Sequence, residues 1–306
     1  MTARDVLKLV EWRTKGASLL PFAAGSLYAL FRFGTFSWLR AVLFFVALLA
    51  LDAATTVQNN LAEAQGPAAT FCYDGTEYTK GTVRRLLVGL WILSLGAGTL
   101  LAVHTGPVVW LIGLLGVLTA LTYSSGPLPL CRTPFGEAVS GLAMGLGIFF
   151  LAVYLHPGDA LLRLWVFQRS VHLELDYREV GAILLLCVPF VSAIANLMLA
   201  NNLCDAPKDR SSGRYTLAVL WEASSCLVLF HLLYALGGLA ALIAVFLRIL
   251  PLSGLLLLLV YGFVWRNAQR FSRAPSRART FHLVVENLWA VGLGMILSLA
   301  LGLLVF

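Results

Sequence analysis

The sequence predicts an all-α polytopic membrane protein, and three observations carry that expectation. Of its 306 residues, 59% are hydrophobic and 12% are charged, about half the charged share of an ordinary soluble domain. Mean hydropathy is +0.85. The apolar residues gather into runs near the length of about 20 that crosses a bilayer as a helix. Nine such runs fall at 17–33, 40–63, 83–103, 107–123, 137–155, 180–203, 217–246, 250–266 and 283–305, within one transmembrane domain over 1–306. The seventh is long for one span, and Gly237-Gly238 is the place where it would break.

Orientation follows from Lys and Arg. With the N-terminus in the cytoplasm, 16 of the 22 basic residues fall on the cytoplasmic side, and only Arg32, Arg40, Arg163, Arg169, Arg178 and Arg248 fall outside. The net charge of +7 is then a topology signal and a means of contact with anionic lipid. It gives no reason to invoke nucleic acid. The N-terminal basic residues precede an apolar run as in a leader, but no small-residue cleavage site follows and Glu11 is foreign to one, so the run is expected to be a retained helix. The five cysteines, Cys72, Cys131, Cys187, Cys204 and Cys226, are odd in number and lack CxxC spacing, which argues against a disulfide framework or a zinc site.

The first run opens with Glu11, Thr14, Lys15 and Ser18 on one helical face. Lys15 either snorkels to the interface or faces an acidic substrate. In the second run Asp52, Thr56, Asn59 and Glu63 recur at i, i+4, i+7 and i+11, close to three turns, with Thr55 and Asn60 beside them. Thr and Asn alone would read as packing glue. Two carboxylates on the same stripe point to a wet intramembrane site.

Residues 123–141, YSSGPLPLCRTPFGEAVSG, carry the loop between the fourth and fifth runs, ending before Glu137, where Tyr123, Ser124 and Arg132 either contact substrate or belong to a turn fixed by Gly126, Pro127, Pro129 and Pro134. GLAMG, residues 141–145, offers GxxxG close packing. Its continuation to Gly147 is no nucleotide fingerprint, because no strand precedes it. In the outward loop 156–179, Trp165 and Phe167 suit the interface, and His172 with Glu174 are too few for a metal site. Residues 266–280 read as a basic topology anchor.

The richest stretch is LANNLCDAPKDRSSGRYTL, residues 199–217. Asn202, Asp205 and Asp209 follow the sixth run at spacings of three and four, with Pro207 expected to end or kink the helix and leave Asp209 on a loop. Carboxylates with neighbouring amide oxygens suit Mg²⁺. Lys208, Arg210 and Arg214 suit a polyanion. The topology ends the second and sixth runs at the same face, so the two patches are expected to confront each other. Carboxylate clusters bridged by Mg²⁺ would hold a diphosphate of roughly three negative charges and assist its departure. An allylic carbocation formed that way needs a dry, aromatic surrounding, which a membrane cavity supplies.

These segments resemble the UbiA superfamily of intramembrane prenyltransferases. The resemblance rests on NNxxDxxxDRxxGRxTL at Asn201 to Leu217, ETK at Glu11, Thr14 and Lys15, DxATTxxNN at Asp52 to Asn60, and YSxGPxPL followed by TPxGE at Tyr123 to Glu137. In combination they look like the menaquinone-pathway branch that acts on 1,4-dihydroxy-2-naphthoate. The resemblance implies a nine-helix bundle in a bacterial cell membrane, with a central cavity opening to the cytoplasm. It implies catalytic roles for Asn59, Asn60, Glu63, Asp205 and Asp209, and Mg²⁺ ligation by Asn59, Glu63, Asn202, Asp205 and Asp209. Contacts to the prenyl diphosphate and the aromatic acceptor are implied for Thr14, Lys15, Asp52, Thr56, Tyr123, Arg132, Asn201, Asn202, Lys208, Arg210 and Arg214.

One departure stands out: Glu63 replaces the Asp usual in the first motif, and Pro67 stands where a further Asp is expected. The alternatives are a relative acting on another acceptor such as 4-hydroxybenzoate, or a non-catalytic isoprenoid-binding or transport protein. Polar clusters confined to one membrane face favour an enzyme that draws head groups from water.

Overall fold

The computed structural model describes residues 1–64, 69–126 and 129–305. Pro67 and Pro127 therefore lie outside the described residues. The order of elements is α1 (Ala3–Leu9), α2 (Gly16–Phe33), α3 (Trp38–Glu63), the hairpin β1 (Thr70–Tyr73) and β2 (Thr76–Thr79), α4 (Lys80–Thr105), α5 (Pro107–Ser124), α6 (Gly136–Ser140), and α7 (Ile148–Tyr154). A second hairpin, β3 (Leu162–Phe167) and β4 (Ser170–Leu175), precedes α8 (Tyr177–Ser211), α9 (Leu217–Leu220), α10 (Ala223–Phe246), α11 (Leu256–Arg273) and α12 (Phe281–Val305). Both hairpins are antiparallel additions to a helical molecule.

A helix occupies each of the nine predicted runs, and seven helices are long and apolar enough to cross a membrane: α3, α4, α5, the continuous Gly136–Tyr154 helix, α8, α10 and α12. The 18-residue α2 and α11 fall outside that set; α11 carries Arg266, Arg270 and Arg273 toward its end. It also starts later than expected, because Pro251 opens a 3₁₀ turn at Leu252–Leu255. The seventh run breaks at Trp221 and Glu222, between α9 and α10, rather than at Gly237-Gly238. Those glycines remain helical within α10 and make room for Tyr261: a Cβ on Gly237 would stand 2.5 Å from its hydroxyl.

α8 lies at the centre, buried along much of its length against α10, α12 and the Gly136–Tyr154 helix. The last of these joins α6 to α7 through a π-helical stretch, Gly141–Gly147. The expected GxxxG contact is there: added Cβ atoms on Gly141 and Gly145 would come within 2.9 and 2.5 Å of the Val191 backbone. Aromatic side chains, among them Tyr28, Phe149, Phe190, Phe230 and Tyr234, fill the bundle with aliphatic residues.

The contacts distinguish two ends. At one end, Ser37 N–H donates to His156 Nδ1 (3.0 Å), Arg40 donates to the Leu155 carbonyl (3.1 Å), and Arg32 pairs with Glu179. Burial, with the Arg40 charge adding to it, pulls His156 down to about 4, so the imidazole there is neutral at pH 7. His172 stacks on Trp165 at 5.3 Å as a member of the β3–β4 hairpin. At the other end stand α1, the β1–β2 hairpin, the ends of α3 and α8, the Leu130–Arg132 turn, and the 274–280 connection.

Candidate active site

The C-terminal turns of α3 and α8 bring the two polar motifs together. On α3, Asn59 Nδ2 donates to Glu63 Oε1 (3.3 Å), which also accepts from Arg214 at 3.1 Å. The other arm of the Arg214 guanidinium lies 3.6 Å from Asp209 Oδ1. One arginine therefore joins carboxylates that are 146 positions apart in sequence, Glu63 and Asp209.

Asp209 does not stand on a loop. α8 continues through Pro207 to Ser211, so Asp205 and Asp209 remain one turn apart on a helix. A proline this near a helix end removes one amide donor, and the Ser211 and Ser212 hydroxyls satisfy the Lys208 carbonyl as the helix closes. Gly213 then takes a positive φ of 68°, and the Arg214 amide returns to the Asp209 carbonyl at 3.0 Å. That turn aims Arg214 back at the motif.

Glu63, Arg132, Lys208, Ser212 and Arg214 line a recess of about 140 Å³. Tyr215 N–H donates to the Arg132 carbonyl at 2.9 Å, which fastens the 130–132 turn beside the motif. Cys131 is half-buried there, and burial pushes its thiol up against the opposing pull of Arg214 and Arg132.

Deeper along the polar stripe the expected residues meet one another. Lys15 Nζ donates to Asp52 Oδ1 (2.6 Å), to the Asp52 carbonyl (3.2 Å) and to Thr56 (2.8 Å), while Ser18 donates to the second Asp52 oxygen. Lys15 is therefore bound in a buried ion pair and presents no free ammonium to a substrate. Asn60 turns away from the stripe and donates to the Leu9 carbonyl at 3.0 Å, tying α3 to α1. Thr14 is exposed and bonded to its own turn through the Glu11 carbonyl, and Arg210 reaches the Val219 carbonyl at 3.2 Å. Tyr123 is linked to Ser140 at 2.8 Å.

Two participants carried too little sequence signal to be assigned. Glu137, 4% exposed, accepts from Asn202 Nδ2 at 2.8 Å and so fixes the orientation of the buried Asn202 amide, whose Oδ1 is the atom that could ligate a cation. Its TPxGE context marked it without saying what it holds. Arg277 bonds Asn201 and lies 3.8 Å from Asp205, yet it is one of five arginines in a run where nothing singles it out.

Among the described residues, no three His, Cys, Asp or Glu side chains stand together as a ready metal cluster. Asn59, Glu63, Asn202, Asp205 and Asp209 nevertheless offer a hard, all-oxygen donor set suited to a divalent cation, and arginine charges already sit against three of its carboxylates. The donor chemistry fits such a cation.

The fold and the paired motifs define an integral membrane protein of the intramembrane prenyltransferase class. The chain belongs to the UbiA prenyltransferase family, whose model matches residues 18–291. It is 27% identical over 237 residues to 1,4-dihydroxy-2-naphthoate octaprenyltransferase of Bacillus subtilis (strain 168), covering 75% of this chain and 70% of that one. Among solved structures, a UbiA homologue from Archaeoglobus fulgidus bound to GPP and Mg²⁺ superposes with a TM-score of 0.63 at 15% identity, covering 97% of this chain and 98% of the other. The apo UbiA homologue from Aeropyrum pernix K1 gives 0.58 at 20% identity, over 94% and 98%. The shared fold therefore extends well beyond the matched motifs.

Proposed function

We propose that this single transmembrane domain catalyses Mg²⁺-dependent transfer of an isoprenoid from a prenyl diphosphate to an aromatic acceptor, 1,4-dihydroxy-2-naphthoate, in menaquinone biosynthesis. The observation that carries the proposal is Arg214, which unites Glu63 of the first motif and Asp209 of the second at one end of a membrane bundle. Family membership and the naphthoate prenyltransferase of Bacillus subtilis support the reaction and acceptor. The basic-residue distribution supports a cytoplasmic orientation for this end, and the bacterial relative supports a bacterial cell membrane.

Glu63 and Asn59 from one side, and Asn202, Asp205 and Asp209 from the other, would hold the cation. Bound there, Mg²⁺ supplies Lewis-acid stabilisation of the charge that develops on the departing diphosphate. Arg132, Lys208 and Arg214 around the recess bind its oxygens. Cleavage of the allylic carbon–oxygen bond leaves a cationic prenyl carbon, and the ring carbon bearing the acceptor carboxyl attacks it. The new carbon–carbon bond forms as the carboxyl departs as CO₂ and returns its electron pair to the ring. The bundle's apolar side chains keep water from the cation. The Lys15–Asp52 pair would serve as a rigid support beneath the first motif.

The test is product formation by the purified protein in lipid nanodiscs with Mg²⁺, labelled prenyl diphosphate and either 1,4-dihydroxy-2-naphthoate or 4-hydroxybenzoate. A decarboxylated, prenylated naphthoquinol absent from Asp205→Ala is expected. Product from 4-hydroxybenzoate alone would move the enzyme to another acceptor. Diphosphate binding without product from either would favour a non-catalytic isoprenoid-binding protein.

A further inference from the structure

We infer that Arg277, from the connection between α11 and α12, is a diphosphate-binding residue that the Asn201–Asp205 edge of α8 holds in readiness. The inference rests on the proposed use of a prenyl diphosphate at this site. Arg277 is more than half exposed, yet it bends inward to donate to the Asn201 side-chain oxygen Oδ1 and to lie 3.8 Å from Asp205. Those partners are one helical turn apart on α8.

Its presentation is built. Ser276 N–H donates to Thr280 Oγ1 (3.0 Å), Thr280 Oγ1 donates to the Ala274 carbonyl (2.8 Å), and the Thr280 and Phe281 amides both return to the Ser276 carbonyl (3.0 Å). This closed turn carries Arg277 over the Phe281 ring, 4.8 Å from its centre. The stacking orients the planar fork, whose paired N–H groups match phosphate oxygens.

Arg277 engages Asp205 while Arg214 engages Asp209, so each carboxylate of the second motif carries a guanidinium. A divalent cation taking Asp205 as ligand would weaken the Arg277 pair. The freed donors then remain beside the place where the diphosphate charge arrives, and partner exchange keeps the arginine at the site. Arg279, two residues on, is exposed on the same connection and offers a charge-matched comparison.

The experiment measures equilibrium binding of labelled inorganic pyrophosphate, and separately of geranyl diphosphate, to the full-length protein in nanodiscs with Mg²⁺. Charge-assisted contacts of this kind predict a loss of about tenfold or more in affinity for Arg277→Ala. Arg277→Lys is expected to restore part of it, whereas Arg279→Ala stays within about twofold of the wild type by the same energy scale. Wild-type affinity in Arg277→Ala would overturn the inference and leave the proposed function standing. Equal losses in Arg277→Ala and Arg279→Ala would overturn it in favour of diffuse surface charge. Failure of the wild type to bind either diphosphate would overturn both the inference and the proposed function.

Discussion

At the scale of single residues, the Lys15–Asp52 pair shows how a charge in the apolar phase is tolerated. Lys15 is 7% exposed and spends its ammonium donors on Asp52 and Thr56. Removing one partner leaves the other uncompensated, so Asp52→Ala is expected to cost about 3–5 kcal/mol. Lys15→Met combined with Asp52→Leu, which removes both charges, should recover most of that loss. Thermal midpoints of the detergent-solubilised variants read the cycle; a double variant as unstable as Asp52→Ala would show that the shape of this pair, rather than its charge, holds the helices. The sequence disclosed the polar stripe because Asp52, Thr56, Asn59 and Glu63 share one face, but periodicity says nothing about the facing helix. Lys15 therefore read as a free cation until α2 and α3 were placed side by side. Arg277 was illegible for the corresponding reason: its role arises from a contact across 72 positions to Asp205.

At the scale of elements, the long helices were legible because about 20 consecutive apolar residues leave few alternatives to a membrane helix. Their ends were less so. Pro207 looked like a stop, yet α8 runs through it with the loss of one amide donor and closes only where the Ser211 and Ser212 hydroxyls bond the Lys208 carbonyl. Gly237-Gly238 looked like a break, yet Tyr261 occupies the space they leave. The β3–β4 hairpin was legible in Val171-His172-Leu173-Glu174-Leu175, which alternates apolar and polar residues, but its strands lie largely exposed and β4 faces no core that would have singled them out. Gly145 was correctly legible as a packing residue, and its contact is testable. A Cβ there would stand 2.5 Å from the Val191 amide nitrogen, backbone that cannot rotate aside. Gly145→Ala is therefore expected to destabilise by about 1–3 kcal/mol through overpacking. Gly113→Ala, where no heavy atom lies within 4 Å, should be neutral or gain slightly from helix propensity. Equal thermal midpoints for these two variants would show that the Gly136–Tyr154 helix slides on α8 rather than locking against it.

At the scale of the whole molecule, the site depends on several connections reaching the same end of the bundle. Glu63, Arg132, Asp209 and Arg277 come from four separate parts of the chain, and the β1–β2 hairpin is held on the same side by separate contacts to the N-terminal segment, Tyr73 donating to Glu11 and Lys8 donating to Thr76. The charge asymmetry favours a cytoplasmic placement of this end, and the proposed use of a prenyl diphosphate supplied from inside the cell would require the same placement. Cys72 on β1 tests it directly, because the residue is exposed and lies outside the candidate spans. A membrane-impermeant maleimide should modify Cys72 in inside-out vesicles and spare it in intact cells, as read by mass spectrometry of the Cys72 peptide. Cys131 on the same face should react more slowly at neutral pH, since burial raises its thiol and limits access. Modification of Cys72 in intact cells would invert the topology and place the recess outside, where no cytoplasmic prenyl diphosphate reaches it. Protection in cells with labelling in inverted vesicles would instead join the charge pattern, the fold and the supply of substrate in one orientation.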